Sequence, residues 1–172
     1  ERVIIHARKA WLQGLSPKEI REVPPLDYPL VAQMKVLFPN LHISLNGGVA
    51  TLDDALDHID SGFDSVMIGR AAYHQPYDIL AAADARIYGR GSTKSAEEVV
   101  HAMLPYIARH VEAGGRLHQI TRHMLGLFAG RPGARAWRRM LSEGATRAGA
   151  GPGLVEAALA QILAASEARA AG

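Results

Sequence analysis

Two short stretches, Asn46-Gly47-Gly48-Val49 and Ile68-Gly69-Arg70-Ala71-Ala72, lie about one βα unit apart and combine a side-chain amide, three glycines and a guanidinium. Glycine lets a backbone come close to a ligand, so its N–H groups can reach an oxyanion. Arginine adds a charged fork that matches phosphate oxygens. Together these residue types form a phosphate grip. A third polar cluster, His6-Ala7-Arg8-Lys9, follows the apolar run Val3-Ile4-Ile5.

The elements that would carry these groups follow from the flanking residues. His42 to Leu45 and Ser65 to Ile68 read as buried parallel strands, and Leu52, Ala55, Leu56 and Ile59 between them keep helical spacing. Val3 to Ile5 supplies another strand, so three strands deliver polar residues from their C-terminal ends. In a (β/α)₈ barrel those ends build the active site, and the loops after the last two strands commonly hold phosphate. The plainer alternative is that Gly47, Gly48 and Gly69 punctuate turns in an ordinary α/β protein. Three strands cannot close a barrel. Because the chain opens on Glu1 with a strand core at once, the sequence predicts further barrel strands upstream and self-association of the 172-residue chain through open strand edges.

The Lys9–Tyr28 connection, with Gly14, Pro17, Pro24 and Pro25, is too broken for a sustained helix and long enough to be functional. Val31, Met34, Leu37 and Phe38 predict a helix after it, and Pro76 to Ile87 another. Gly89 to Lys94 reads as a linker, which gives a barrel part over 1–90 and a helical domain over 95–172. Ser95 and Glu98 form a capping box that starts the first tail helix. Leu117 to Phe128 predicts a second, Trp137, Met140 and Leu141 mark a third, and Pro152 opens a fourth. The fold class is therefore α/β plus all-α.

A net charge of +2 says little as a total. From Arg109 to Arg147, however, eight arginines face only Glu112 and Glu143, which suits an acidic partner such as nucleic acid. Cysteine is absent, which removes disulfides and thiol chemistry from this chain. No apolar run reaches membrane-spanning length. His42, His58 and His101 lack metal-ligand spacing, and Asp53, Asp54, Asp57 and Asp60 read as a solvated helix face rather than a metal site.

Longer blocks carry a family likeness. His6-Ala7-Arg8-Lys9-Ala10-Trp11-Leu12-Gln13-Gly14-Leu15-Ser16-Pro17-Lys18, Arg21-Glu22-Val23-Pro24-Pro25-Leu26, Asn46-Gly47-Gly48, Met67-Ile68-Gly69-Arg70-Ala71-Ala72-Tyr73 and Gly126-Leu127-Phe128-Ala129-Gly130-Arg131-Pro132-Gly133-Ala134-Arg135 resemble the tRNA-dihydrouridine synthases, closest to the A-type branch. The resemblance implies the C-terminal part of an FMN-binding TIM barrel, about strands six to eight, followed by a helical bundle that binds tRNA. It implies a cytoplasmic oxidoreductase that reduces uridine to 5,6-dihydrouridine with NADPH as reductant and a monomeric parent. By position, His6, Asn46, Gly47, Gly48, Gly69 and Arg70 would hold FMN. Arg8, Lys9 and Trp11 would lie near the tRNA entrance, and Arg131, Arg135, Arg138 and Arg139 would hold tRNA phosphates. The family's proton-donating cysteine and a flavin-contacting lysine have no counterpart here, so the likeness implies no catalytic residue in this chain and no turnover by it alone. Ile20, and Tyr73-His74-Gln75-Pro76 in place of an asparagine-proline ending, depart from the family pattern. Two other readings remain open: a different barrel enzyme with a phosphorylated cofactor or sugar, and a non-catalytic RNA-binding module.

Overall fold

A computed structural model describes residues 1–11 and 13–171, so Leu12 of the first likeness block lies outside the described residues. By compactness the chain divides into two units, Glu1–Ala71 and Ala72–Gly172.

The first unit is built on three parallel strands, β1 (Arg2–His6), β2 (His42–Asn46) and β3 (Ser65–Met67), in the order β1-β2-β3. The helices α1 (Tyr28–Leu37) and α2 (Leu52–Asp60) connect them. Central β2 is covered on both faces, with Ile43, Ser44 and Leu45 all buried, as expected of a parallel strand between helices. Its core joins Ile43 and Leu45 to Ala7, Val31 and Phe63. The buried Ser44 hydroxyl is satisfied by Ser65 Oγ at 2.5 Å. At the opposite end from the glycine loops, Asp64 accepts from Ile43 N at 2.8 Å and pairs with Lys35 Nζ at 2.5 Å. The register aligns His6 with Asn46 and Asn46 with Met67, so the C-terminal ends of all three strands finish abreast. Edge residues Ile4 and Met67 are exposed, 57% and 42%.

Two caps fix the loops around that edge. Asp27 accepts from Leu30 N and starts α1. Thr51 and Asp54 form a reciprocal capping box at α2, which anchors the exit of the glycine loop. The Lys9–Tyr28 connection folds back on itself through an Arg8–Leu26 bridge and carries one 3₁₀ turn, Glu19–Arg21.

The second unit contains most of α3 (Arg70–His74), then α4 (Pro76–Leu80), α5 (Ala83–Tyr88), α6 (Ala96–Glu112), α7 (His118–Thr121), α8 (Ala134–Gly144) and α9 (Pro152–Ala170). The Ser95–Glu98 capping box forms as the sequence predicts. Phe128 and Trp137 meet edge to face at 4.9 Å in the core, with Ile107, Leu117, Val155 and Ile162 buried around them.

Two expectations change. Residues 72–90 fall in the second unit, where Tyr77 packs on the helical core and its hydroxyl donates to the Lys94 carbonyl at 2.9 Å. The helix expected over 117–128 stops at Thr121 and continues as successive turns. Beyond Arg122 the amides bond three residues back, His123 N to the Ile120 carbonyl at 3.0 Å and Met124 N to the Thr121 carbonyl at 2.9 Å, and the Trp137 indole N–H donates to the Met124 carbonyl at 3.0 Å within that run of turns. The helix expected over 76–87 is split into α4 and α5 at Ala81–Ala82, a break that no side chain there explains.

Candidate functional site

All six residues that the family likeness assigns to FMN, the five of the phosphate grip and His6, line one cleft in the first unit. His6, Asn46, Gly47, Gly48, Gly69 and Arg70 surround a volume of about 370 Å³ together with Arg21, Val49, Ala50, Met67 and Ala71. Strand register places the first groups, and backbone geometry shapes the rest. Gly47 and Gly48 have φ of 108° and 78°, a region that side chains rarely adopt. A Cβ on Gly48 would meet Leu26 Cδ1 at 2.5 Å and the Tyr28 hydroxyl at 2.6 Å. Tyr28 donates that hydroxyl to the Gly47 carbonyl at 2.9 Å, so the loop is tied to α1. Gly69 differs: a Cβ there would meet no protein atom within 4 Å. Protein packing therefore does not require glycine at 69, whereas close approach of a ligand would.

Among the described residues the amides of Gly47, Gly48 and Gly69 have no backbone acceptor, so their N–H groups remain to serve a bound group. The electrostatics favour an anion. Burial pushes the His6 imidazole below its ordinary pKa, and the nearby charges of Arg8, Arg70 and Arg21 push it the same way. Three guanidiniums thus act on one ring at the cleft. A dianionic phosphate ester fits this donor set: free amides, a side-chain amide, an imidazole and arginine.

The loop residues divide in role. Arg70 Nη1 is paired with Glu22 Oε1 at 2.6 Å and its Nη2 reaches the Arg21 carbonyl at 3.4 Å. Arg8 turns inward, donating to the carbonyls of Pro24 and Glu22 and holding the loop closed. Lys9 and Trp11 are exposed. Sequence reasoning missed Arg21 as a cleft residue and Glu22 as the partner of Arg70. Their only signal was charge on a long loop, and the Arg8–Leu26 bridge that folds the loop back is not encoded by local spacing.

In the second unit, Arg131 pairs with Glu97 at 2.6 Å and its guanidinium lies 5.1 Å from the Phe128 ring centroid. Arg135, Arg138 and Arg139 are exposed on α8 at helical i, i+3 and i+4 positions. Among the described residues no group of acids has metal-site geometry, and no helix is long and apolar enough to cross a membrane.

The profile of one family, dihydrouridine synthase (Dus), matches residues 1–164 and so takes in both units. The chain belongs to the dihydrouridine synthase family. A tRNA-dihydrouridine(20/20a) synthase of Shewanella oneidensis is 57% identical over 162 residues, covering 92% of this chain and 47% of the relative. A protein of the same name from Salmonella typhi is 56% identical over 163 residues, 94% of this chain and 48% of the relative. A third, from Escherichia coli K12, is 56% identical over 160 residues, 92% and 46%. The chain thus spans about half the length of the curated relatives it matches. Within the Dus family a three-stranded parallel sheet with its helices is consistent with part of a TIM barrel.

Proposed function

We propose that this Dus chain supplies the phosphate-holding side of an FMN site and a tRNA-holding helical domain in an A-type tRNA-dihydrouridine synthase that works in the cytoplasm with NADPH as reductant. The observation that carries this reading is the convergence of His6, Asn46, Gly47, Gly48, Gly69 and Arg70 on one cleft. The relatives, named for tRNA dihydrouridine synthesis at positions 20 and 20a, support the choice of substrate.

Bound FMN would supply hydride transfer to the C5–C6 bond of a uridine. The chain's own residues bind and orient. The amides of Gly47, Gly48 and Gly69 hold phosphate oxygens, the Asn46 side chain fixes a polar oxygen beside them, and Arg70 adds charge. His6, neutral in the free cleft, accepts or donates one hydrogen bond at the end of β1. Addition across the uracil double bond also needs a proton on the second carbon, and this chain has no cysteine to give it. Its part in the reaction is therefore anchorage, and the acid comes from another segment.

Titration of the purified chain with FMN and with riboflavin, followed by flavin fluorescence, tests the assignment. FMN binds more tightly than riboflavin, and Arg70→Ala removes most of that difference, on the order of tenfold or more for a charge-assisted bond to phosphate. Equal affinity for the two flavins refutes the phosphate grip.

A further inference from the structure

The helical unit holds a second set of hydrogen-bond donors that the flavin cleft does not use. His123 stands between Arg122 and Tyr73. Arg122 Nε donates to His123 Nε2 at 3.0 Å. A guanidinium has no acceptor, so Nε2 carries the lone pair and the neutral ring keeps its proton on Nδ1. Nδ1 lies 3.1 Å from the Tyr73 hydroxyl and donates to it. The hydroxyl's own hydrogen is thereby free to turn outward, on a side chain that is 55% exposed. Tyr73 also meets the rings of His74 and His123 edge-on, at 5.7 and 5.8 Å.

Next to His123 a groove of about 510 Å³ has Met103, Ile120, Met124 and Leu127 as its apolar lining, with Tyr106 and Gln119 alongside. Gln119 Oε1 accepts from His110 Nε2 at 2.9 Å and from Arg116 N at 3.0 Å. Its carbonyl is thus committed, and only its NH₂ group remains for a ligand. Among the described residues no carboxylate lines the groove. An apolar floor, a half-exposed aromatic ring and a rim of donors select a flat ligand with an acceptor-rich edge. An unstacked nucleobase has this profile, and single-stranded RNA is held in this way by aromatic contact and donors to base and phosphate. The eight arginines against two glutamates between residues 109 and 147 give this stretch of the helical unit the sign of charge that a polyanion requires.

We infer that this groove receives one unstacked base of a single-stranded RNA stretch, with Tyr106 against its face and the Tyr73 hydroxyl and Arg122 guanidinium on acceptors of the base or its phosphate. The inference takes its RNA partner from the proposed function but does not depend on flavin.

The test compares binding of the 172-residue chain to a fluorescein-labelled uridine decanucleotide and to an abasic oligomer of equal length and charge. The expected result is about tenfold tighter binding of the base-containing probe, the scale of one aromatic–base contact. His123→Ala and Tyr106→Ala bring the ratio toward one, chiefly by weakening the base-containing probe. Tyr73→Phe, which keeps the ring and its packing, lowers the ratio part of the way and decides the matter if His123→Ala does not fold. A wild-type ratio near one, or a ratio unmoved in folded Tyr106→Ala and Tyr73→Phe, overturns the inference. The flavin titration separates the two readings: FMN preferred over riboflavin without base preference refutes the groove alone, and the reverse refutes the flavin cleft alone.

Discussion

Arg70, which lines the cleft, is joined to Glu22 at 2.6 Å, so the guanidinium expected to meet a phosphate already has a carboxylate partner. Both side chains are about half exposed, which makes the pair worth at most about 1 kcal/mol. A phosphate ester, with more charge and several acceptor oxygens, is the stronger partner. Glu22→Gln removes the competitor. FMN or inorganic phosphate then binds more tightly by a few-fold, read by flavin fluorescence or calorimetry. Weaker binding in that variant would show that Glu22 positions Arg70 rather than competing for it.

Two glycines of the grip should respond differently to alanine. Gly48→Ala forces a side chain into positive φ and against Leu26 and Tyr28, a combination that costs roughly 1–3 kcal/mol. Denaturant unfolding of the first unit reads that loss. Gly69→Ala meets no protein atom, so stability stays within about 0.5 kcal/mol while FMN affinity falls. An equal loss of stability in both variants would place the role of Gly69 in the fold instead of the ligand.

Much of this site was legible in the sequence because its determinants are local. The apolar runs around Ile4, Leu45 and Val66 dictate strands, and glycine at 47 and 48 marks a turn whatever lies around it. Side-by-side placement of His6 and Asn46 then follows from parallel register. Arg21 at the cleft and Glu22 on Arg70 were not legible, since the loop between Lys9 and Tyr28 takes its path from long-range contacts such as Arg8 with the Pro24 carbonyl. The early end of α7 was not legible either: periodicity through Ile120, Met124 and Phe128 says helix, whereas that apolar face is met by successive turns, one of whose carbonyls, Met124, is taken by the Trp137 indole N–H from far along the chain.

His6 offers a pH readout. Its pKa is depressed in the folded chain by burial and by Arg8, Arg70 and Arg21. The unfolded chain therefore binds the proton first, near pH 6.5, and the stability contributed by neutral His6 is present above that value and lost as pH falls toward the lower folded pKa. An anion in the cleft favours imidazolium. In an NMR titration the His6 midpoint lies below that of a free histidine and moves upward when phosphate is added. A midpoint insensitive to phosphate would mean that the anion binds elsewhere.

The four arginines expected to hold tRNA phosphates separate into one ion-paired group and three surface groups. Arg131 is held between the Glu97 carboxylate and the Phe128 ring, and its hydrogen bond holds the Glu97 pKa below the usual carboxylate range. Stability from that pair is full above the unfolded carboxylate value of about 4.3 and fades as pH drops below it. Arg131→Ala should therefore destabilise the unit by about 1 kcal/mol, a figure already reduced for partial solvent screening, with the loss shrinking in acid. Arg135, Arg138 and Arg139 share one exposed stretch of α8, while Trp137 between them is buried. Neutralising these three leaves the melting temperature unchanged. It weakens tRNA binding for many sequences alike, because phosphate contacts position a nucleic acid without reading it. The salt dependence of binding flattens by roughly 0.7–0.9 for each phosphate that an arginine no longer neutralises. Wild-type affinity and salt slope in the triple variant would return the tRNA surface to Lys9, Trp11 and the rest of their loop. A fall in melting temperature on the scale of Arg131→Ala would instead make α8's outer face part of the packing.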